Sequence, residues 1–263
     1  MRLIRFLDTD GNIRYGDGYE NGKTNMLDGR MEPVGVQAEV KKLLAPIEPR
    51  AIVCIGANYR LHCEETGAPI PERPVVFMKY LSALNNPGDP IVIPACSHEP
   101  EVDWEVELAV VIGKAARNVK EEDALDYVMG YTTANDVSAR WWQKSGSGGQ
   151  WIRGKSFDTF CPLGPVMVTP DELTDPQDVR LKTTLNGKVM QDGHTSDMIF
   201  PIRRLLADLT RDLTLLPKTV LMTGTPSGVG AGMDPPVFLK PGDEVTVEAE
   251  GIGAITNPVV AAG

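Results

Sequence analysis

The chain has 263 residues, enough for one large domain or one large and one small, and its 42% apolar and 24% charged content is ordinary for a globular protein. A formal charge of -10 repels phosphate backbones and anionic membrane surfaces, and 6% aromatic content leaves little for base stacking, so neither nucleic acid nor membrane is an expected partner. Cys54, Cys63, Cys96 and Cys161 form no C-x-x-C pair, and no apolar run reaches the roughly 20 residues of a membrane span; with no secretory run at MRLIRFLDTDG, the expectation is a soluble, cytoplasmic protein with reduced thiols.

The 21 Pro and 26 Gly favour many short strands over long helices. At the N-terminus, MRLIRFLDTDGNIRYGDGYENG alternates apolar and polar residues around Asp10-Gly11, a hairpin signal. A short helix is expected over Val36–Leu44, ending before Pro46, and residues 1–48 read as a small β-rich lobe. From 49 to 263 the texture is that of a larger domain. Ala51–Ile55 and Val75–Met78 are compact apolar strands, Glu105–Ile112 is strand-like, Glu121–Tyr127 reads as a helix and Gly130–Asn135 returns to strand. Ser145–Gly149 (SGSGG) reads as a loop. Met198–Leu213, with Ile199, Ile202, Leu205, Leu206 and Leu209 at helical spacing, is the best helix, and the tail folds as a hairpin around Gly251–Gly253. The class is α+β, with strands in the majority.

The densest chemistry lies in EVDWEVELAVVIG, residues 101–113. On a strand, Glu101, Asp103, Glu105 and Glu107 share one face, and apolar residues including Leu108 and Val110 lead on into a core. Clustered carboxylates repel by about 4 kcal/mol per close pair at intermediate dielectric, so a cation is expected. Oxygen donors without His or Cys suit Mg²⁺, Mn²⁺ or Ca²⁺ rather than Zn²⁺. A solvated edge strand with acids facing water fits this segment equally well. Asp136, closing the strand in GYTTANDVSAR, is a further acid in reach.

His62 and Glu65, in GANYRLHCEETGAP, are three apart, so on one helical turn the carboxylate can orient the imidazole as a base. An exposed polar turn is the bland reading of the same four residues. Arg140 and Gln143 follow Asp136 at i+4 and i+7, which on a helix places the three on one face. His98 and His194, the remaining histidines, read as structural.

DWEVELAVVIG and GYTTANDVSAR, followed by QWIRGKSFDTFCPLGP (150–165), QDGHTSDMIFP (191–201), MTGTPSGVG (222–230) and KPGDEVTVEAEGIGAITNPV (240–259), together resemble the fumarylacetoacetate hydrolase family over roughly residues 50–260. The lead-in LLPKTVLMTG departs from the family's usual Pro-Gly-Asp. The resemblance implies a rolled, mostly β mixed sheet, a homodimer, and one Mg²⁺ or Mn²⁺ per subunit on the triad Glu105, Glu107 and Asp136. It implies a lid carrying the dyad His62 and Glu65, a catalytic Lys155, and contacts from Arg140, Gln143, Thr225 and Lys79 to a small anionic 2-oxo acid. The activity it implies is cleavage of a C–C bond in an acylpyruvate-type 2,4-dioxo acid. Its alternatives are oxaloacetate decarboxylation or tautomerisation, and isomerisation or decarboxylation of dienoates in aromatic catabolism. A non-catalytic scaffold that kept the fold is the remaining alternative. The far end of the pocket is expected from the lid after Tyr59 and from Trp141–Gly149, with Trp141 and Trp142 narrowing it or packing.

Overall fold

Val106–Ile112 is buried along its whole length, and its two faces feed two separate cores. Val106, Leu108, Val110 and Ile112 join one; Ala109 and Val111 join the other. This strand is central to a twelve-stranded sheet among the described residues, which are 1–98 and 100–263 of a computed structural model. It pairs antiparallel with Val128–Asn135 on one side and Thr219–Met222 on the other. Beyond Thr219–Met222 lie Ala51–Gly56, parallel to it, and the edge strand Val75–Lys79. Beyond Val128–Asn135 lie Cys161–Val168 and then Arg2–Leu7. A five-stranded sheet, built around Glu244–Ala249 and Gly253–Ala261, packs alongside. The architecture is the expected sheet-rich α+β fold with mixed sheets.

The Asp10-Gly11 hairpin forms: Leu7 faces Ile13, and Gly11, at φ 82°, donates its N–H to the Asp8 carbonyl. The C-terminal hairpin also forms, Ala249 facing Gly253. Residues 36–44, expected as a helix, are instead parts of two strands, Pro33–Glu39 and Lys42–Leu44. Pairing of Lys23 with Glu39 and of Arg5 with Leu44 gives the backbone inter-strand partners that outweigh a weak helical preference. The expected helix over 198–213 shortens to Ile202–Leu209. Pro201, which lacks an N–H and fixes φ, stands directly before its first residue, and Ile199 lies outside it. Glu121–Tyr127 is helical, but of the tighter 3-10 kind.

Candidate active site

Glu105 and Glu107 are two apart and therefore share the Ala109–Val111 face of the central strand, while Leu108 and Val110 occupy the opposite one. Asp136 follows the neighbouring strand, its N–H donating to the Glu105 carbonyl at 2.8 Å. Glu105, Glu107 and Asp136, all buried, each offer an oxygen within 4.8 Å of the others. Glu101 and Asp103 do not join them. The chain breaks its pleat after Asp103, where Val102–Asp103 pairs with Ser138–Ala139 instead. Glu101 is used up by the Ser97 hydroxyl at 2.9 Å and the Trp141 N–H at 2.6 Å. Asp103 receives Arg140 at 2.6 and 2.9 Å and the Gly230 and Ala231 N–H groups at 2.7 and 3.0 Å.

Two buried lysines flank the triad. Lys155 donates to Glu105 at 2.7 Å and to Asp136 at 2.8 Å, and Lys79 donates to the other Asp136 oxygen and to the Val137 carbonyl. Arg140 completes the set, donating to Glu105 at 2.6 Å and to the Gln143 side chain at 3.1 Å. Arg140 and Gln143 sit on the turn Arg140–Gln143, but Asp136 is separated from it by the Ser138–Ala139 strand, so a single helical face does not hold all three. Glu107 has no side-chain cation within ion-pair distance among the described residues; its hydrogen-bond partner is the Gly224 N–H at 2.8 Å. Gly224 sits at φ 99°, and a Cβ there would come within 2.8 Å of Asn58, so only glycine presents that N–H comfortably.

The electrostatics follow from these contacts. Burial pushes the Glu105 carboxyl up, but Lys155 and Arg140 outweigh it and hold it at about 2. Burial lowers Lys155, and the Asp136 and Glu105 carboxylates more than restore it. Glu107 goes the other way: burial, then the Asp136 and Glu105 charges, raise it well above the usual carboxylate range. A buried carboxylate repelled by two neighbours and lacking a cation is a ready ligand for a divalent ion, and an all-oxygen donor set suits Mg²⁺ or Mn²⁺. The residues present fit such an ion, held by Glu105, Glu107 and Asp136.

Above the triad lies a cavity of about 370 Å³, lined by His62 and Glu65, by Arg140, Gln143 and Lys155, and by Thr225. His62 and Glu65 fall on the helix Arg60–Thr66, with Nδ1 to Oε2 at 3.3 Å. The other Glu65 oxygen accepts the Gly228 N–H at 2.8 Å, tying this helix to the 224–232 turn. The Thr225 hydroxyl is already committed, donating to the Val106 carbonyl at 2.9 Å and accepting from Gln191 at 2.8 Å. Lys79 is likewise turned to Asp136 and is absent from the cavity lining. His98 stacks on Trp141 at 4.0 Å, and His194 bonds Ser196, both away from the triad. Trp141 and Trp142 pack against each other edge-on and do not line the cavity; Trp151 does. Sequence reasoning singled out neither Gly224 nor Trp151, and it covered Lys144 only within the Trp141–Gly149 segment expected at the far end of the pocket. The glycine-rich turn was a visible signal for Gly224, and nothing local marks Trp151.

Residues 51–260 match the family model described as fumarylacetoacetate (FAA) hydrolase C-terminal. The chain belongs to the fumarylacetoacetate hydrolase family. Among its relatives, an oxaloacetate tautomerase of Xenopus laevis, fahd2, mitochondrial, is 52% identical over 219 residues, spanning 83% of this chain and 68% of that protein. The mitochondrial oxaloacetate tautomerase FAHD2A of Homo sapiens is 48% identical over 228 residues, 87% of this chain and 72% of the human one. A crystal structure of 5-carboxymethyl-2-hydroxymuconate delta-isomerase from Mycobacterium smegmatis superposes with a TM-score of 0.83 at 40% identity, covering 100% of both chains. A fumarylacetoacetate hydrolase from Exiguobacterium antarcticum superposes at 0.88 and 37% identity, again over 100% of both. No helix among the described residues of this family member is long and apolar enough to cross a membrane.

Proposed function

We propose that this family member is a metal-dependent oxaloacetate tautomerase, moving one proton between C3 and the 2-oxo oxygen. The observation that carries the reading is the buried triad, whose Glu105 lines the same cavity as an imidazole–carboxylate pair. The names of its close relatives support the substrate class. A divalent ion bound there would supply Lewis acidity to a 2-oxo acid.

The remaining work falls to this chain's own residues. Glu65 accepts the Nδ1 proton of His62, which leaves Nε2 free as the base that takes the C3 proton. The imidazolium then returns that proton to the 2-oxo oxygen, so the ring ends as it began. Lys155, kept charged by Glu105 and Asp136, offsets negative charge as it develops on that oxygen. Arg140 and Gln143 hold the substrate's C1 carboxylate end, with Thr225 contributing through its backbone, since its hydroxyl is spent. Lys79 acts through Asp136 in this reading, holding the carboxylate that faces the ion.

Acylpyruvate hydrolysis is the second reading, favoured by the same His62–Glu65 pair, which could activate water instead. A homodimer with one Mg²⁺ or Mn²⁺ per subunit belongs to the proposal. So does a reducing compartment, cytoplasm or the mitochondrion named for the relatives, which suits four cysteines free of disulfides. The test is turnover by metal-stripped protein, with and without Mg²⁺ or Mn²⁺, of oxaloacetate and acetylpyruvate. Metal-dependent gain or loss of enol absorbance without pyruvate or CO₂ supports tautomerisation. CO₂ from oxaloacetate would replace it with decarboxylation, and acetate from acetylpyruvate with hydrolysis.

A further inference from the structure

The cavity differs sharply between its two ends. At its floor every cation is paired: Lys155 with Glu105 and Asp136, Arg140 with Asp103 and Glu105. At its rim stands Lys144, which lines the cavity, is exposed, and has no carboxylate within ion-pair distance among the described residues. A substrate carboxylate reaching the rim would meet an ammonium not already engaged in an ion pair among the described residues. The side wall is closely packed. Trp151 packs edge-on to Phe77, centroids 5.4 Å apart, and lies so close to Gly56 that a Cβ there would sit 2.1 Å from the indole ring. Gly56 ends the strand Ala51–Gly56 within the large sheet, so the backbone beneath the ring is held by its inter-strand pairing. The resulting volume of about 370 Å³ is near the lower end of the roughly 300–1,000 Å³ of small-molecule sites.

We propose that Lys144 and Trp151 make this cavity selective for a short 2-oxo dicarboxylate, Lys144 binding the carboxylate distal to the triad and Trp151 limiting the substrate's girth. The inference rests on the proposed oxaloacetate chemistry at the triad, and it adds which residues select that acid. An exposed ion pair is worth little in stability, but a ligand held at its other end presents its carboxylate at high effective concentration, so the effect falls on binding.

The test compares wild type, Lys144→Gln and Lys144→Arg in the metal-loaded enzyme, using oxaloacetate and pyruvate, which lacks the distal carboxylate. For Lys144→Gln the KM for oxaloacetate rises roughly threefold to tenfold with kcat kept, and added salt narrows the gap. Competitive inhibition by pyruvate stays unchanged, and Lys144→Arg restores the KM. An unmoved KM for oxaloacetate, or pyruvate inhibition weakened in parallel, overturns the assignment. Calorimetric binding of both acids separates this from failure of the proposed activity. A preference for oxaloacetate that Lys144→Gln removes, without any turnover, sinks the tautomerase and keeps the pocket; no preference sinks the pocket. For the wall, Trp151→Ala is expected to bind benzoylpyruvate roughly tenfold more tightly than wild type. Trp151→Phe, the milder variant, should gain less. A folded Trp151→Ala with no gain removes Trp151 from the proposal.

Discussion

The floor of the cavity and its rim are built on different physical terms. The floor is three carboxylates at or beside the ends of strands, with Lys79 from an edge strand and Lys155 and Arg140 from short helical turns closing on them, and low dielectric there makes every charge count. The rim is a seven-residue helix carrying His62 and Glu65, a four-residue turn, and a glycine-rich loop joined to them by a few N–H bonds. The floor's shape is over-determined by ion pairs; the rim's depends on packing and on single hydrogen bonds. Metal affinity and apo stability therefore belong to the floor, and turnover and selectivity to the rim.

The largest effect that would test this division comes from Glu107→Gln. It should abolish metal-dependent turnover and weaken Mn²⁺ binding by at least about 100-fold, read by calorimetry. The metal-free protein should be as stable as wild type or more so, because the repelled carboxyl is gone. Loss of apo stability instead would mean that Glu107 is not held against repulsion in the metal-free floor. Next, His62→Ala should lower turnover by roughly 10²- to 10⁴-fold with Mn²⁺ affinity unchanged, placing the pair at the rim alone. A parallel loss of metal would merge the two regions.

Lys155→Met should destabilise the metal-free protein by about 3–5 kcal/mol, seen in denaturant melts, since Glu105 and Asp136 lose a buried partner. Added Mn²⁺ should recover part of it. The smallest effect is on pH. Glu107 is raised in the folded chain, so its stabilising contribution is full below its unfolded pKa and is lost as pH rises through the folded one. Glu105, held at about 2, adds no slope above its unfolded value. Above about pH 4.5 the apo protein should therefore lose stability as pH rises, and Glu107→Gln should flatten that slope. Metal binding displaces the same proton, so Mn²⁺ affinity should fall by up to about tenfold per pH unit on acidification.

Much of the floor was legible in order along the chain. Strand parity set Glu105 and Glu107 on one face without deciding between a metal site and a solvated edge, and the family resemblance singled them out together with Asp136. Glu101 and Asp103 share that parity, and only the interruption of the strand after Asp103 removes them from the cluster. The rim was legible in part: His62 and Glu65 lie within one helical turn of each other, a local relation. Trp151 was not, because its meaning comes from Gly56 and Phe77, both distant in sequence, and Lys144 was legible only as part of the Trp141–Gly149 segment.

The sequence by itself determined the strand-rich class, the two hairpins, the carboxylates on one strand face and the histidine–glutamate pair, since each depends on residues a few positions apart. Tertiary structure alone decided that residues 36–44 are strands, that Lys79 serves Asp136, that the Thr225 hydroxyl is spent, and that Glu107 is the carboxylate without a cation. Those are questions of which donors reach which acceptors across the sheet. Local propensity is worth a few tenths of a kcal/mol per residue, and a buried charge or an inter-strand ladder outweighs it.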